Sequence, residues 1–152
     1  MPGNFRAVAR NTLQMSPATA YASGASYPEA ARQLIEGLCN FDIDQVASGL
    51  SDDVRLTVSG AACANGKSRV RTALIRALGL IYSIQCEPAV VWMRRDVAIL
   101  EMDVNCERVD RAQVAFPVTL VLRFKERLIS DIRLLTYEPA VRNSFAGLRT
   151  GL

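Results

Sequence analysis

The chain predicts an α+β domain in which three N-terminal helices pack on a strongly curved antiparallel sheet, a cone with the order helix, helix, strand, helix, four strands. Three observations predict it. Val97 to Tyr137 reads as three consecutive strands, VAILEMDVNCERV, VAFPVTLVLRF and LISDIRLLTY, joined by short charged connections at Asp110-Arg111 and Lys125-Glu126-Arg127. Upstream of them, apolar residues recur at helical spacing around Leu34 and again around Leu74. Half of the 152 residues are hydrophobic, enough to bury a core, and no repeat, linker or low-complexity run divides them.

Taken in order, residues 1–26 hold no acidic residue and carry Arg6 and Arg10 among small residues, which reads as a flexible tail rather than a transit peptide. The folded domain is expected over 27–140. Its first helix takes Ser26 as cap and Pro28 in the first turn, buries Ala31, Leu34, Ile35 and Leu38, and ends at Asn40-Phe41. Asp42 caps a short second helix with Ile43, Val46, Ala47 and Leu50 inward. Ser51-Asp52-Asp53 is a turn into the strand Val54–Ser59, and Gly60–Gly66 a loop. Ser68 caps the third helix, which buries Val70, Ala73, Leu74, Ala77, Leu78 and Ile81. Glu87-Pro88 opens a strand to about Trp92, its proline suiting an edge or first position. After Glu138-Pro139, residues 141–152 form a C-terminal tail.

Composition excludes several functions. There is no histidine, which removes Ser-His-Asp and Cys-His nucleophiles, histidine acid–base chemistry and the usual zinc sets. A net charge of +3 spread along the chain leaves no nucleic-acid footprint. No apolar run approaches the roughly 18 residues of a membrane span. Cys39, Cys63, Cys86 and Cys106 form no CxxC pair and read as reduced, buried thiols of a cytoplasmic protein. Catalysis, if present, falls to carboxylates, tyrosine, arginine, lysine or thiol.

The candidate site lies in the three-strand block, where Glu101, Asp103, Asn105, Asp131 and Arg133 interrupt apolar strands. Their orientation is a parity problem, because side chains alternate faces along a strand. If Asp110-Arg111 is a two-residue hairpin loop, Glu101 opposes Leu120, Asp103 opposes Val118 and Asn105 opposes Phe116. A two-residue turn at Glu126-Arg127 then adds Asp131, Arg133, Leu135 and Tyr137 to that face, which has a pocket's mixture of apolar walls and converging polar groups. A three-residue hairpin loop instead groups Leu100, Met102, Val104 and Cys106 with Phe116, Val118, Leu120 and Leu122. Glu101, Asp103 and Asn105 then fall on the opposite face, toward water or a dimer seam. Asp-Arg is no strong type I′ pair, so turn chemistry leaves both open.

The run FDIDQVASGLSDDVRLTV, then NGKSRVRTALIRAL, then the long hairpin, then ISDIRLLTYEP resembles the nuclear-transport-factor-2-like fold, closest to its SnoaL-like members. That group includes polyketide cyclases and, more distantly, ketosteroid isomerases and limonene epoxide hydrolases. The resemblance covers about Pro28 to Ala140. It implies a conical cavity between helices and sheet, commonly with a homodimer built on the outer sheet surface. The isomerase's base, tyrosine and second acid would fall near Val58, Ile35 and Thr119 or Leu120, none of which matches, which argues against steroid isomerisation. The epoxide hydrolase's arginine and aspartate would fall at Asp103 and Asn105, and its second acid near Arg133 or Leu134, so the polarity survives with altered charges.

The expected function is a SnoaL-like enzyme (cyclase, isomerase, dehydratase or hydrolase) acting on a hydrophobic oxygenated small molecule by carboxylate acid–base chemistry, without metal or organic cofactor. Asp103 would be the acid or base, Glu101 its partner and Arg133 the charge stabiliser. Asn105 and Tyr137 would orient the ligand. Trp92 is a candidate ligand wall, though burial habits place such a residue more often in a core or dimer interface. The alternative is a non-catalytic dimeric ligand-binding or assembly module of the same fold. No nucleic-acid or membrane partner is expected.

Overall fold

In the computed structural model, which describes residues 28–139, 141 and 142, helix α1 (Glu29–Asn40) follows Pro28, the residue at its N-cap. Proline suits a helix start because the amide it lacks would have had no intrahelical partner. The expected cap, Ser26, lies outside the described residues, as do residues 1–26 as a whole. Phe41, at φ 58°, ends the helix in a left-handed turn, and its backbone N–H and that of Asp42 return to Leu38 O and Gly37 O. Asp42 Oδ1 then accepts from Gln45 N at 3.0 Å and caps α2 (Ile43–Ser48). The two helices meet closely at Gly37. A Cβ there would lie 2.5 Å from Val46 Cγ2 and 2.9 Å from Asp42 O, so only glycine fits without repacking.

Strand β1 (Leu50–Val58) absorbs Ser51-Asp52-Asp53, which sequence reading places in a turn. β1 pairs in parallel with β6 (Leu128–Leu135), more than 70 residues away, at Leu50 and again from Arg55, and these polar residues form the irregular stretch between the two paired points. Ser59 and Gly60, both at positive φ (48° and 82°), turn the chain into β2 (Ala61–Asn65) where a loop was expected. Alanine-rich AACAN has little strand propensity of its own, and β2 is stabilised by pairing with β1.

Helix α3 (Lys67–Leu78) is capped at Gly66, at φ 91°, with Ser68 already inside it. It ends before Ile81, which belongs to β3 (Ile81–Arg94) rather than to the helix. β3 therefore starts well before Glu87-Pro88. It is an edge strand, as the proline requires, and its register slips between Pro88 and Val90. β4 (Val97–Arg108) and β5 (Gln113–Lys125) complete a six-stranded sheet in the order β2-β1-β6-β5-β4-β3, antiparallel except for β1 against β6.

The three helices pack on one face of this sheet. Leu34 and Ile35 of α1 and Val70 of α3 join Leu100, Leu120 and Leu122 in one core, each at most 2% exposed. No helix among the described residues is long and apolar enough to cross a membrane.

Candidate functional site

The β4–β5 connection decides which way the acids point. Arg111 N donates to Arg108 O, and Arg108 N to Ala112 O, both at 2.9 Å. The loop is therefore the three residues Val109, Asp110 and Arg111, with Arg111 at φ 70° supplying the left-handed residue that such loops use. Asp110 Oδ1 accepts from Ala112 N at 3.1 Å and steadies the turn. Register follows: Leu100 opposes Leu120, Glu101 opposes Thr119, Asp103 opposes Pro117 and Asn105 opposes Ala115. Of the two loop lengths that turn chemistry leaves open, the three-residue one forms, so Asp103 does not pair with Val118.

The next connection is the expected two-residue turn, Glu126-Arg127, both at positive φ (52° and 69°) as in a type I′ hairpin. A bulge then shifts the register between Arg123 and Phe124, so that Asp131 faces Arg123, Arg133 faces Val121 and Leu135 faces Thr119. The two one-residue displacements cancel. Glu101, Asp103, Asn105, Arg133 and Leu135 therefore do share one face, as the pocket reading groups them. It is the face turned away from the helices.

Burial says the same. Leu100, Met102, Val104 and Cys106 are buried inward, whereas Glu101 and Asp103 are exposed and Asn105 is half-buried. Tyr137 is 92% exposed and Trp92 46%. The expectation of a desolvated carboxylate pair, Asp103 with Glu101, inside the cone is overturned: in this chain both acids meet solvent. Arg133 turns to a different acid. Its Nε donates to Asp131 Oδ2 at 3.2 Å, and an Arg55 amino group lies 3.9 Å from the same oxygen. Asp131 is only 3% exposed on this outer face because the arginine stems close over it. Arg55 escaped sequence reasoning, its only signal being a polar position in the alternating VRLTVS.

The inner wall carries no acid or base in the positions that the family resemblance offers. Val58, Ile35 and Leu120 are all buried and apolar, and on β4 the inward parity belongs to Met102 and Val104 rather than to Asp103 and Asn105. The core cluster does hold thiols, among them those of Cys39, Cys86 and Cys106. Cys39 and Cys86 hydrogen-bond to each other, and the Cys39 thiol together with complete burial pushes the Cys86 thiol well above its ordinary range. Burial also raises Cys106. All four cysteines are buried and none is in a disulfide, and no cluster of metal-ligating side chains occurs among the described residues.

An open groove of about 460 Å³ lies at one end of the outer face, where β1, β5 and β6 meet the residues after β6. Pro117, Thr119, Leu135 and Tyr137 line it with Ser59 and Arg142. Glu101 and Asp103 stand one strand away and do not line it.

No family model matches the chain, and no curated protein matches it in sequence. Solved structures match in fold. An NTF2-like protein of unknown function from Burkholderia pseudomallei superposes with a TM-score of 0.66 at 16% identity, over 78% of this chain and 95% of that one. An epoxide hydrolase of Mycobacterium tuberculosis described as LEH-like gives 0.65 at 19%, over 81% and 91%. A Catenulispora acidiphila protein of ketosteroid isomerase-like fold, in complex with trimethylamine, gives 0.68 at 14%, over 81% and 95%. These likenesses show the nuclear-transport-factor-2-like cone. At such identities they carry the fold and no activity.

Proposed function

We propose that this chain, with its nuclear-transport-factor-2-like fold, is a non-catalytic assembly module that works as a homodimer through the outer face of its sheet. The observation that carries this reading is the parity of β4: every second residue from Leu100 to Cys106 is buried against the helices, which leaves the acids outside. An enzyme using these acids needs them desolvated beside a substrate, and among the described residues the core cluster consists of apolar side chains and thiols. The outer face, in turn, exposes Trp92, Leu135 and Tyr137 together with half-buried Ile99 and Val121. Exposed aromatic and aliphatic groups gathered on one face mark an association surface.

Sedimentation velocity tests the reading. The protein is expected to sediment as a dimer at micromolar concentration, and Trp92→Asp to shift it to monomer with an unchanged far-UV circular dichroism spectrum. A wild-type monomer up to about 100 μM, well above the dissociation constant of specific interfaces, would remove the proposal.

The groove supports a second reading, in which a hydrophobic oxygenated small molecule binds against Pro117 and Leu135 with Tyr137 and Arg142 as polar anchors. Its volume falls within the usual range of ligand sites, about 300–1,000 Å³. Thermal-shift screening of such compounds on wild type and Tyr137→Phe tests it: stabilisation lost in the variant supports the groove, and the same shift in both rejects it.

A further inference from the structure

The outer face is divided by charge, and the division runs along a diagonal. Cross-strand register sets out its rows. One row is Trp92, Ile99, Val121 and Arg133; the next is Val90, Glu101, Thr119 and Leu135; the third is Glu87, Asp103 and Pro117. An apolar stripe descends across them from Trp92 and Ile99 on β3 and β4, through Val121 and Thr119 on β5, to Leu135 on β6. On one side of the stripe lie the exposed acids Glu87, Glu101 and Asp103. On the other lie Arg133, Arg123 and Arg55, gathered around the buried acid Asp131.

We infer that two copies of this chain pack outer face to outer face about a two-fold axis lying along the apolar stripe, so that the acidic corner of each protomer covers the arginine corner of the other. The inference rests on the dimer proposed above and specifies its geometry. A two-fold axis in the plane of an interface superposes each face on its own reflection across that axis, so each contact occurs twice. A stripe on the axis meets itself, apolar on apolar. Corners on opposite sides exchange, acid on arginine. Turning the axis across the stripe would still lay apolar on apolar but would set acid against acid and arginine against arginine. Strands stand about 4.8 Å apart and same-face neighbours about 6.8 Å apart along a strand. Reflecting that grid across a line through Trp92 and Thr119 carries Arg133 onto Asp103 and brings Arg123 to within about 4 Å of Glu87.

The arrangement gives the interrupted strands a purpose. Asp103, Glu101 and Arg133 act as specificity determinants for self-association, disfavouring every register that sets like charges together.

The test reverses charges singly and then mixes the products. Asp103→Arg and Arg133→Glu are each expected to weaken the homodimer by about tenfold or more, because two symmetric ion pairs become two repulsions. Mixed in equal amounts, the two variants should form a heterodimer near wild-type affinity, since both cross-pairs are then opposite in sign. The wild-type dimer should also weaken as ionic strength rises. Circular dichroism checks that each variant folds. If Arg133→Glu fails that check because it crowds Asp131, Arg133→Gln and Asp103→Asn replace the pair, each with a weaker loss and a flatter salt dependence. A wild-type dimer that tolerates Asp103→Arg without loss, or variants that do not rescue each other, would overturn the geometry while leaving the dimer standing. A wild-type monomer would remove both.

Discussion

Alanine scanning along β4 gives the most direct check on the register from which the functional argument proceeds. Leu100 is fully buried, and Met102 and Val104 are each 5% exposed, all facing the helices. Leu100→Ala and Met102→Ala remove buried side chains and leave cavities, so each should cost about 3 kcal/mol within the usual 2–5 kcal/mol spread. Val104→Ala removes two carbons at about 0.8 kcal/mol each plus a smaller cavity, roughly 2 kcal/mol. Glu101→Ala and Asp103→Ala, both exposed, should fall within about 0.5 kcal/mol of wild type. At about 4 °C per kcal/mol for a domain of this size, the inner substitutions lower Tm by roughly 8–12 °C and the outer ones by less than about 2 °C. Urea unfolding followed by circular dichroism reads the series, and the Trp92→Asp background keeps association out of the outer values. The expected profile is a saw-tooth with a period of two residues. Costs at Glu101 and Asp103 equal to those at Leu100 and Met102 would place the acids inward and refute the parity argument.

Three further outcomes test other parts of the fold. Asp42→Ala removes the acceptor for Gln45 N and should destabilise the domain by about 1 kcal/mol in the same urea assay, with Asp42→Asn recovering most of it; no loss would mean that the cap is not formed. The Asp53 carboxyl is held below its usual range, first by the Ser51 hydroxyl and then by Lys125. A depressed folded pKa means that its contribution is present above the ordinary carboxylate value and is lost as pH falls through the lowered one. Ser51→Ala should accordingly raise the Asp53 titration midpoint seen by NMR, and an unmoved midpoint would discard the hydrogen bond. The native Cys86 thiol, raised by Cys39 and by burial, should resist iodoacetamide at pH 8 and react only on unfolding. Alkylation of the native protein at the rate of a free thiol, followed by mass spectrometry, would show that β3 opens there.

Helix periodicity was legible except at the C-terminal ends, where Leu50 and Ile81 belong to strands. The stripes around Leu34 and Leu74, the Asp42 cap and the stop at Phe41 are local features, and the structure keeps them. Misreadings cluster where pairing decides conformation. Ser51-Asp52-Asp53 looks like a turn in isolation, yet it lies within β1, between the two points, Leu50 and Arg55, at which that strand pairs with β6. AACAN lacks strand formers, and only the Ser59-Gly60 dipeptide hints at the hairpin that creates β2. Ile81 continues the helical period of α3, but the chain has already turned into β3.

The candidate site divides along the same line. Sequence alone grouped Glu101, Asp103 and Asn105 on one face and identified the cone from the order of its motifs, whereas Arg133 joins that face only because the β6 bulge offsets the longer hairpin loop. Alternation within each strand is a local property, and it holds whichever way a strand is turned. Tertiary structure alone decided which face meets the helices. That choice depends on one extra residue in the Val109–Arg111 loop and on one bulge after Glu126-Arg127, each of which reverses the parity of everything beyond it. Neither residue pair names its turn type, so the decision passes to the core. Burying Leu100, Met102 and Val104 stabilises the fold by several kcal/mol more than burying Glu101 and Asp103 could. The strand turns its acids outward, and they become surface available to a second copy.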